Sequence, residues 1–297
     1  MTDRLPVLAA TDFSAAAHLA AERAARLAQA AGSALTLMHV LPGEAVQRLR
    51  EWLGSGQPAE QCIQTEALDR LQRLAHELHA VWRVPVRPVL ASGAVLDELV
   101  READTLDAAL LVLGARGEGY LRRLVLGTTS ERLLRRTTRP VLVVRRDAPS
   151  PYRRALVAVD FSPWSLQSIA VARGVAARAP LVLVHAFQVP FEDKLRFAGV
   201  DDAVVALYRQ KARADATHRL HALAHVAGLN AGAWTPRIVE GDASRRIVEQ
   251  EVEQDCDLVV LGKHGCSATQ DLLLGSVTKH VLAEGSADVL VSAARDA

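Results

Sequence analysis

Asp107-Ala-Ala-Leu-Leu-Val-Leu-Gly114-Ala-Arg-Gly117 and, 148 residues on, Asp255-Cys-Asp-Leu-Val-Val-Leu-Gly262-Lys-His-Gly265 are one segment written twice. Each is a short run, apolar on both faces, that stops at glycine. That is the pattern of a strand buried under helices in a parallel sheet. The same offset carries Thr11-Asp12-Phe13-Ser14 into Val159-Asp160-Phe161-Ser162, and Gly93 into Gly241. A repeat of this length is one whole structural unit, so the chain reads as two copies joined head to tail. Pro149 and Pro151 sit in a charged stretch between the copies, which places the boundary near residue 148 and the units at 1–148 and 149–297.

Apolar runs at 5–10, 35–40, 84–90, 108–113 and 140–144 recur at 154–159, 181–186, 233–239, 257–261 and 288–292, with helical stretches between them. The alternation predicts an α/β fold, two tandem parallel sheets with helices on both faces. Ser14 is a good N-cap for the first helix, and Ser162 followed by Pro163 is its expected counterpart. Half of the 297 residues are apolar and only 4% aromatic, so Ala, Val and Leu must fill the cores. A net charge of +1, with the two halves alike, gives no field for nucleic acid or an anionic membrane, and the recurring Arg pairs read as solvated faces. Three cysteines without Cys-x-x-Cys spacing indicate neither a disulfide framework nor a zinc site, and fit a cytoplasmic protein. No membrane span is expected.

After the fourth strand of each copy comes Gly-x2-Gly, then nine residues, then Gly with a row of small polar residues opening a helix. In the first copy these are Gly114, Arg116, Gly117, Gly127, Thr128, Thr129 and Ser130. In the second they are Gly262, His264, Gly265, Gly275, Ser276, Val277 and Thr278. Glycines let backbone approach a phosphate chain, and helix N-terminal N–H groups and hydroxyls supply donors to it. The same glycines also suit an ordinary strand-to-helix turn. Neither a Walker A sequence nor a Gly-x-Gly-x-x-Gly fingerprint is present.

This spacing, with Asp-Phe-Ser closing the first strand, resembles the ATP-binding branch of the universal stress protein family, and the resemblance covers both copies. It implies two open five-stranded parallel sheets of order 3-2-1-4-5, the adenine nucleotide alpha hydrolase-like arrangement. It further implies ATP, with Mg²⁺ on its phosphates, over the carboxyl ends of strands one and four. By the resemblance, Asp12 and Asp160 lie near the adenosine and the metal-bound phosphate, and the backbones of Val40 and Ala186 read the adenine. The glycine-loop residues would hold the phosphates, Val277 by backbone alone. Arg116, where the family often has the histidine kept in the second copy as His264, and Thr129, where the second copy has the more usual Val277, depart from the family pattern. The fifth strands, Val141–Val144 and Val289–Val291, are edges in that order, and the resemblance implies that the two copies pair through them as an intramolecular pseudo-dimer.

Other constellations carry less. His218, His221 and His225 share a helical face as a metal site would need, but three ligands on one straight helix converge poorly. His76-Glu-Leu-His79 is one residue short of a zinc protease motif. Cys266, in the second glycine loop, has the surroundings of a redox thiol or of a plain small loop residue. Asp271 in that loop could serve as a base for hydrolysis, but the first copy has Arg123 there. The sequence therefore argues for a nucleotide-binding module of the stress response. A slow ATP-hydrolysing enzyme of this fold and a scaffold that binds no nucleotide are the alternatives.

Overall fold

The computed structural model describes residues 6–44, 58–115, 128–147, 150–189, 197–198, 200–263 and 274–293. It divides into two compact units, Met1–Pro151 with Ala293–Ala297, and Tyr152–Ser292. In the first unit the described elements are β1 (Val7–Ala10), α1 (Ala15–Ala30), β2 (Leu35–Pro42), α2 (Pro58–Trp82), β3 (Val86–Gly93), α3 (Val95–Thr105), β4 (Leu110–Gly114), α4 (Thr128–Arg136) and β5 (Val141–Val144). The strands lie in the order β3-β2-β1-β4-β5 and every pairing is parallel.

The second unit repeats the plan with β6 (Ala155–Ala158), α5 (Trp164–Val175), β7 (Leu181–Phe187), α6 (Asp202–Val226), β8 (Trp234–Glu240), α7 (Ala243–Glu253), β9 (Leu258–Gly262), α8 (Ser276–Glu284) and β10 (Asp288–Ser292). Its order, β8-β7-β6-β9-β10, is again 3-2-1-4-5 and all parallel. The apolar runs read from the sequence are these strands, to within two residues at their ends except β3, which runs three residues further than expected, to Gly93.

Four of the five strands in each unit have dry interiors. Leu8, Leu37, Leu111 and Leu142 in the first unit, and Leu156, Leu183, Val259 and Leu290 in the second, are fully buried. The third strands are not: β3 and β8 are only half-covered, and each carries a proline, Pro88 and Pro236. Proline lacks the donor a central strand needs, which confines it to an edge.

Several repeated residues owe their repetition to backbone shape. Gly93 (φ 152°) and Gly241 (φ 132°) turn the chain from the third strand into a helix, in a region closed to side chains. Asp107 (φ 47°) and Asp255 (φ 49°) take the left-handed turn before the fourth strand, which aspartate tolerates. Phe13 (φ 63°) and Phe161 (φ 61°) are different, because a bulky side chain there is strained and some compensation must hold it.

Helix α1 buries Ala17, Ala20, Ala21, Ala24, Ala25 and Ala28, so it lies close on the sheet. Among them Arg23 is also buried, and its guanidinium donates to the carbonyls of Ser150 and Asp147, tying down the segment that leaves β5. The close approach is tightest at the end of β4. A Cβ on Gly114 would stand 2.7 Å from the carbonyl carbon and oxygen of Ala16 and 2.9 Å from the nitrogen of Ala17. Those are backbone atoms that cannot step aside. Gly114→Ala is therefore expected to cost about 1–3 kcal/mol, the usual cost of overpacking, read as a lower urea midpoint at unchanged m-value. An unchanged midpoint would mean that α1 shifts freely.

Candidate functional site

The chain leaves β6 toward β7 and returns to β9 on the other side, so the carboxyl ends of β6 and β9 are left without a covering connection between them. A cavity of about 340 Å³ lies there. Its walls are Ala158 at the end of β6 with Val159 and Asp160 after it, Val184 to Ala186 in β7, Leu261 and Gly262 in β9, and the N-terminal parts of α5, α7 and α8. Asp160, Ala186, Gly262, Gly275, Ser276, Val277 and Thr278, all singled out from sequence, line this one space. His264, Gly265, Cys266 and Asp271 lie outside the described residues.

Two of the helices that open into the cavity are uncapped. Gly275 stands at the N-cap of α8 and has no side chain to offer, and Pro163 precedes α5 with no side-chain cap. In α5 the Ser165 N–H is already taken up by Ser162 O at 3.0 Å; both helices carry the positive end of the helix dipole into the pocket. The third helix, α7, is closed by Asp242, which accepts from Arg245 N at 3.2 Å.

Ser14 caps α1 as the sequence suggests, accepting from Ala17 N at 3.2 Å. Ser162 does not cap α5, which corrects that expectation. Its hydroxyl proton goes to Asp160 Oδ1 at 2.6 Å, which orients the side chain toward the carboxylate. Pro163 does take helical angles, φ −54° and ψ −28°. Asp160 Oδ1 also receives Ser162 N at 2.9 Å and Ser165 Oγ at 2.9 Å, which fixes the carboxylate at the cavity wall. In the first unit Asp12 Oδ1 accepts from Ser14 N at 3.0 Å.

Thr278 and Ser130 are buried and turn their hydroxyls back onto the strand ends. Thr278 Oγ1 donates to Gly262 O at 3.0 Å and Ser130 Oγ to Gly114 O at 3.2 Å. These hydroxyl protons brace the first turn of each helix against the strand end. The glycines divide in role. Gly114 is glycine because α1 sits on it, whereas a Cβ on Gly275 would meet only ordinary contacts, Lys263 O at 3.5 Å and Thr278 Oγ1 at 3.8 Å.

In the first unit Asp12, Val40 and Gly114 occupy the corresponding ends of β1, β2 and β4, and Thr128, Thr129 and Ser130 open α4. Arg116, Gly117 and Gly127 lie outside the described residues.

Sequence reasoning passed over the compensation for the strained phenylalanines. The Phe13 ring packs on His39 with centroids 4.4 Å apart, and Phe161 on His185 at 4.3 Å. Arg70 lies over Phe13 at 5.3 Å and Arg219 over Phe161 at 4.2 Å. Each imidazole meets a carbonyl through Nδ1, His39 with Thr11 O at 2.7 Å and His185 with Val159 O at 2.8 Å. A carbonyl only accepts, so Nδ1 carries the proton and Nε2 is the free acceptor of the neutral ring. The signal was present as a histidine before Val40 and before Ala186, but shifted by two residues from the main offset.

Elsewhere the titratable groups are structural. Burial pushes the Cys256 thiol up to about 12, which makes it inert as a nucleophile. Arg135 pairs with Glu131 and Arg136 with Asp97 at the surface. Among the described residues no three His, Cys, Asp or Glu side chains come together as a metal site, and His221 packs on Trp234. No helix among them is long and apolar enough to cross a membrane.

A wholly parallel, doubly covered sheet with a cavity at its switch point is an open doubly wound α/β protein. A family model described as "Universal stress protein family" matches residues 4–145 and again 151–292. The chain belongs to that family, twice over. A universal stress protein of Mycobacterium tuberculosis (strain ATCC 25618 / H37Rv) is 31% identical over 199 residues, covering 63% of this chain and 62% of the relative, so the match spans under two thirds of that protein. Another from the same strain is 26% identical over 315 residues, 97% of this chain and 95% of the relative. The crystal structure of a universal stress protein from Archaeoglobus fulgidus DSM 4304 superposes with a TM-score of 0.72 at 18% identity, covering 97% of this chain and 98% of its own. That likeness is one of fold.

Burial holds His185 below its ordinary value of 6.5; Arg219 adds to this, while the Val159 carbonyl and Asp160 oppose it. The unfolded chain then binds the proton more readily than the folded one. The resulting penalty is absent well above pH 6.5 and grows as the pH falls through 6.5 toward the folded value. Between pH 7 and 5 the urea midpoint of His185→Gln is expected to fall less than that of the wild type. Parallel slopes would show that this imidazole does not carry the effect.

Proposed function

We propose that each unit binds an adenine nucleotide, ATP with Mg²⁺, and that the protein acts as a cytoplasmic binding module of the stress response. The observation that carries the reading is the cavity of the second unit, where two uncapped helix N-termini and a fixed carboxylate meet at the switch point. Oriented N–H groups with no internal acceptor are what a phosphate chain takes up. In this reading Gly262, Gly275, Ser276, Val277 and Thr278 hold the phosphates through backbone, and the backbone of Ala186 reads the base. Asp12, Val40, Gly114 and the start of α4 do the same in the first unit, completed by Arg116, Gly117 and Gly127. His264 and Gly265 complete the second. Mg²⁺ prefers one or two carboxylates with phosphate oxygens and water over an all-protein cage, and a single aspartate per site, Asp12 or Asp160, fits that demand.

Purified protein is expected to bind ATP in the micromolar range, about 8 kcal/mol, and more tightly with Mg²⁺. Isothermal calorimetry with no heat at millimolar ATP would sink the proposal. Gly275→Val should remove the second unit's binding and leave the fold intact, because the fold does not need the glycine. Gly127→Val should do so in the first unit, and unchanged stoichiometry in both variants would move the nucleotide elsewhere.

The pairing of the two units through their fifth strands is part of the proposal. Bare edge strands expose unpaired N–H and C=O groups, and a short tether raises the local concentration of the second copy to about millimolar. Small-angle scattering is expected to give a single compact particle for the wild type and a looser one for Val143→Asp. Two tethered beads for the wild type would refute the pairing.

A further inference from the structure

The first helix of the second unit presents Trp164, Ser165 and Ser168 to the cavity. The same positions of the first unit, 148 residues earlier, are Ala16, Ala17 and Ala20. The two serines are buried and engaged, Ser165 with Asp160 and Ser168 with Ser292. Trp164 is neither. It is the first residue of α5, lines the cavity and remains 38% exposed, and no aromatic ring or cation among the described residues stacks on it. An indole is the side chain with the most to gain from being covered, and this one stands at the rim of a space into which the uncapped N-terminus of α8 also opens. The second unit thus offers an anion end and a flat aromatic surface together. The first unit has a methyl group where that surface would be.

We infer that Trp164 stacks on the base of a nucleotide held in the second unit, so that the two units are unequal and the second is the tighter, base-reading site. This rests on the nucleotide-binding proposal above. A purine presents a π face that an indole covers regardless of edge hydrogen bonds, and loss of such a stack by alanine substitution typically costs about tenfold or more in affinity. The first unit, lacking the contact, grips the same ligand through backbone and phosphate alone.

The test uses the full chain and two probes, ATP and inorganic tripolyphosphate, each titrated by calorimetry and by tryptophan fluorescence with the fold checked by thermal melting. The wild type is expected to show two classes of ATP site, with fluorescence changing as the tighter class fills. Trp164→Ala should weaken that class about tenfold for ATP, abolish the fluorescence change, and leave tripolyphosphate binding untouched. Trp164→Phe, which keeps a ring but loses the indole N–H, should retain most of the ATP affinity. Ala16→Trp should tighten the weaker class. Wild-type binding that is unaltered in Trp164→Ala overturns the stacking and leaves the nucleotide proposal standing. Equal losses for ATP and tripolyphosphate overturn it too, by assigning the indole to the anion end. No ATP binding by the wild type overturns both.

Discussion

The pairing of the first strand with neighbours on both sides is the constraint from which the rest of each unit follows. β1 lies parallel between β2 and β4, with Ala9 level with Leu37 on one side and Val112 on the other. β6 lies in the same way between β7 and β9, with Val157 level with Leu183 and Val260. Parallel neighbours must be reached by a crossover, and the chain makes its crossovers to opposite sides of this strand. The carboxyl ends of strands one and four are therefore uncovered, and the register that pairs Val157 with Val260 brings the glycine that ends β9 level with Val159, the residue before Asp160. The cavity is a consequence of that topology before any side chain is chosen.

What the side chains add is mostly the management of polar groups. The carboxylate of Asp160 is held by two serine hydroxyls and a backbone N–H, the hydroxyls of Ser130 and Thr278 are turned inward onto strand-end carbonyls, and α8 begins at a residue with no side chain. Each arrangement removes a competitor for the helix N-terminal donors. Leaving α8 without a side-chain cap is a local cost that burial of the strands outweighs.

Much of this was legible in the sequence, because strands buried on both faces and a 148-residue repeat are properties of the chain's own order. Asp160, Gly262 and Gly275, which line one cavity, were legible for the same reason. Other features were not, because they depend on what the fold brings alongside. Nothing in Gly114-Ala-Arg-Gly117 says that the first glycine answers to the backbone of Ala16, a hundred residues earlier. Nor does the Ser162-Pro163 pair say that the serine will prefer the carboxylate two residues before it. The left-handed Phe13 and Phe161 look like ordinary apolar residues after a strand, and only the histidine on the neighbouring strand explains how they are held.

The prolines of the outer strands reach beyond their own units. A chain that carries the same sheet twice faces a hazard that a single copy does not, since a strand of one copy fits the ladder of the other almost as well as its own. Pro88 in β3 and Pro236 in β8 each remove a donor from the rim where an incoming strand would begin to add. They act as chain terminators for β-sheet growth. With them in place, the duplication of a fold need not become the polymerisation of one.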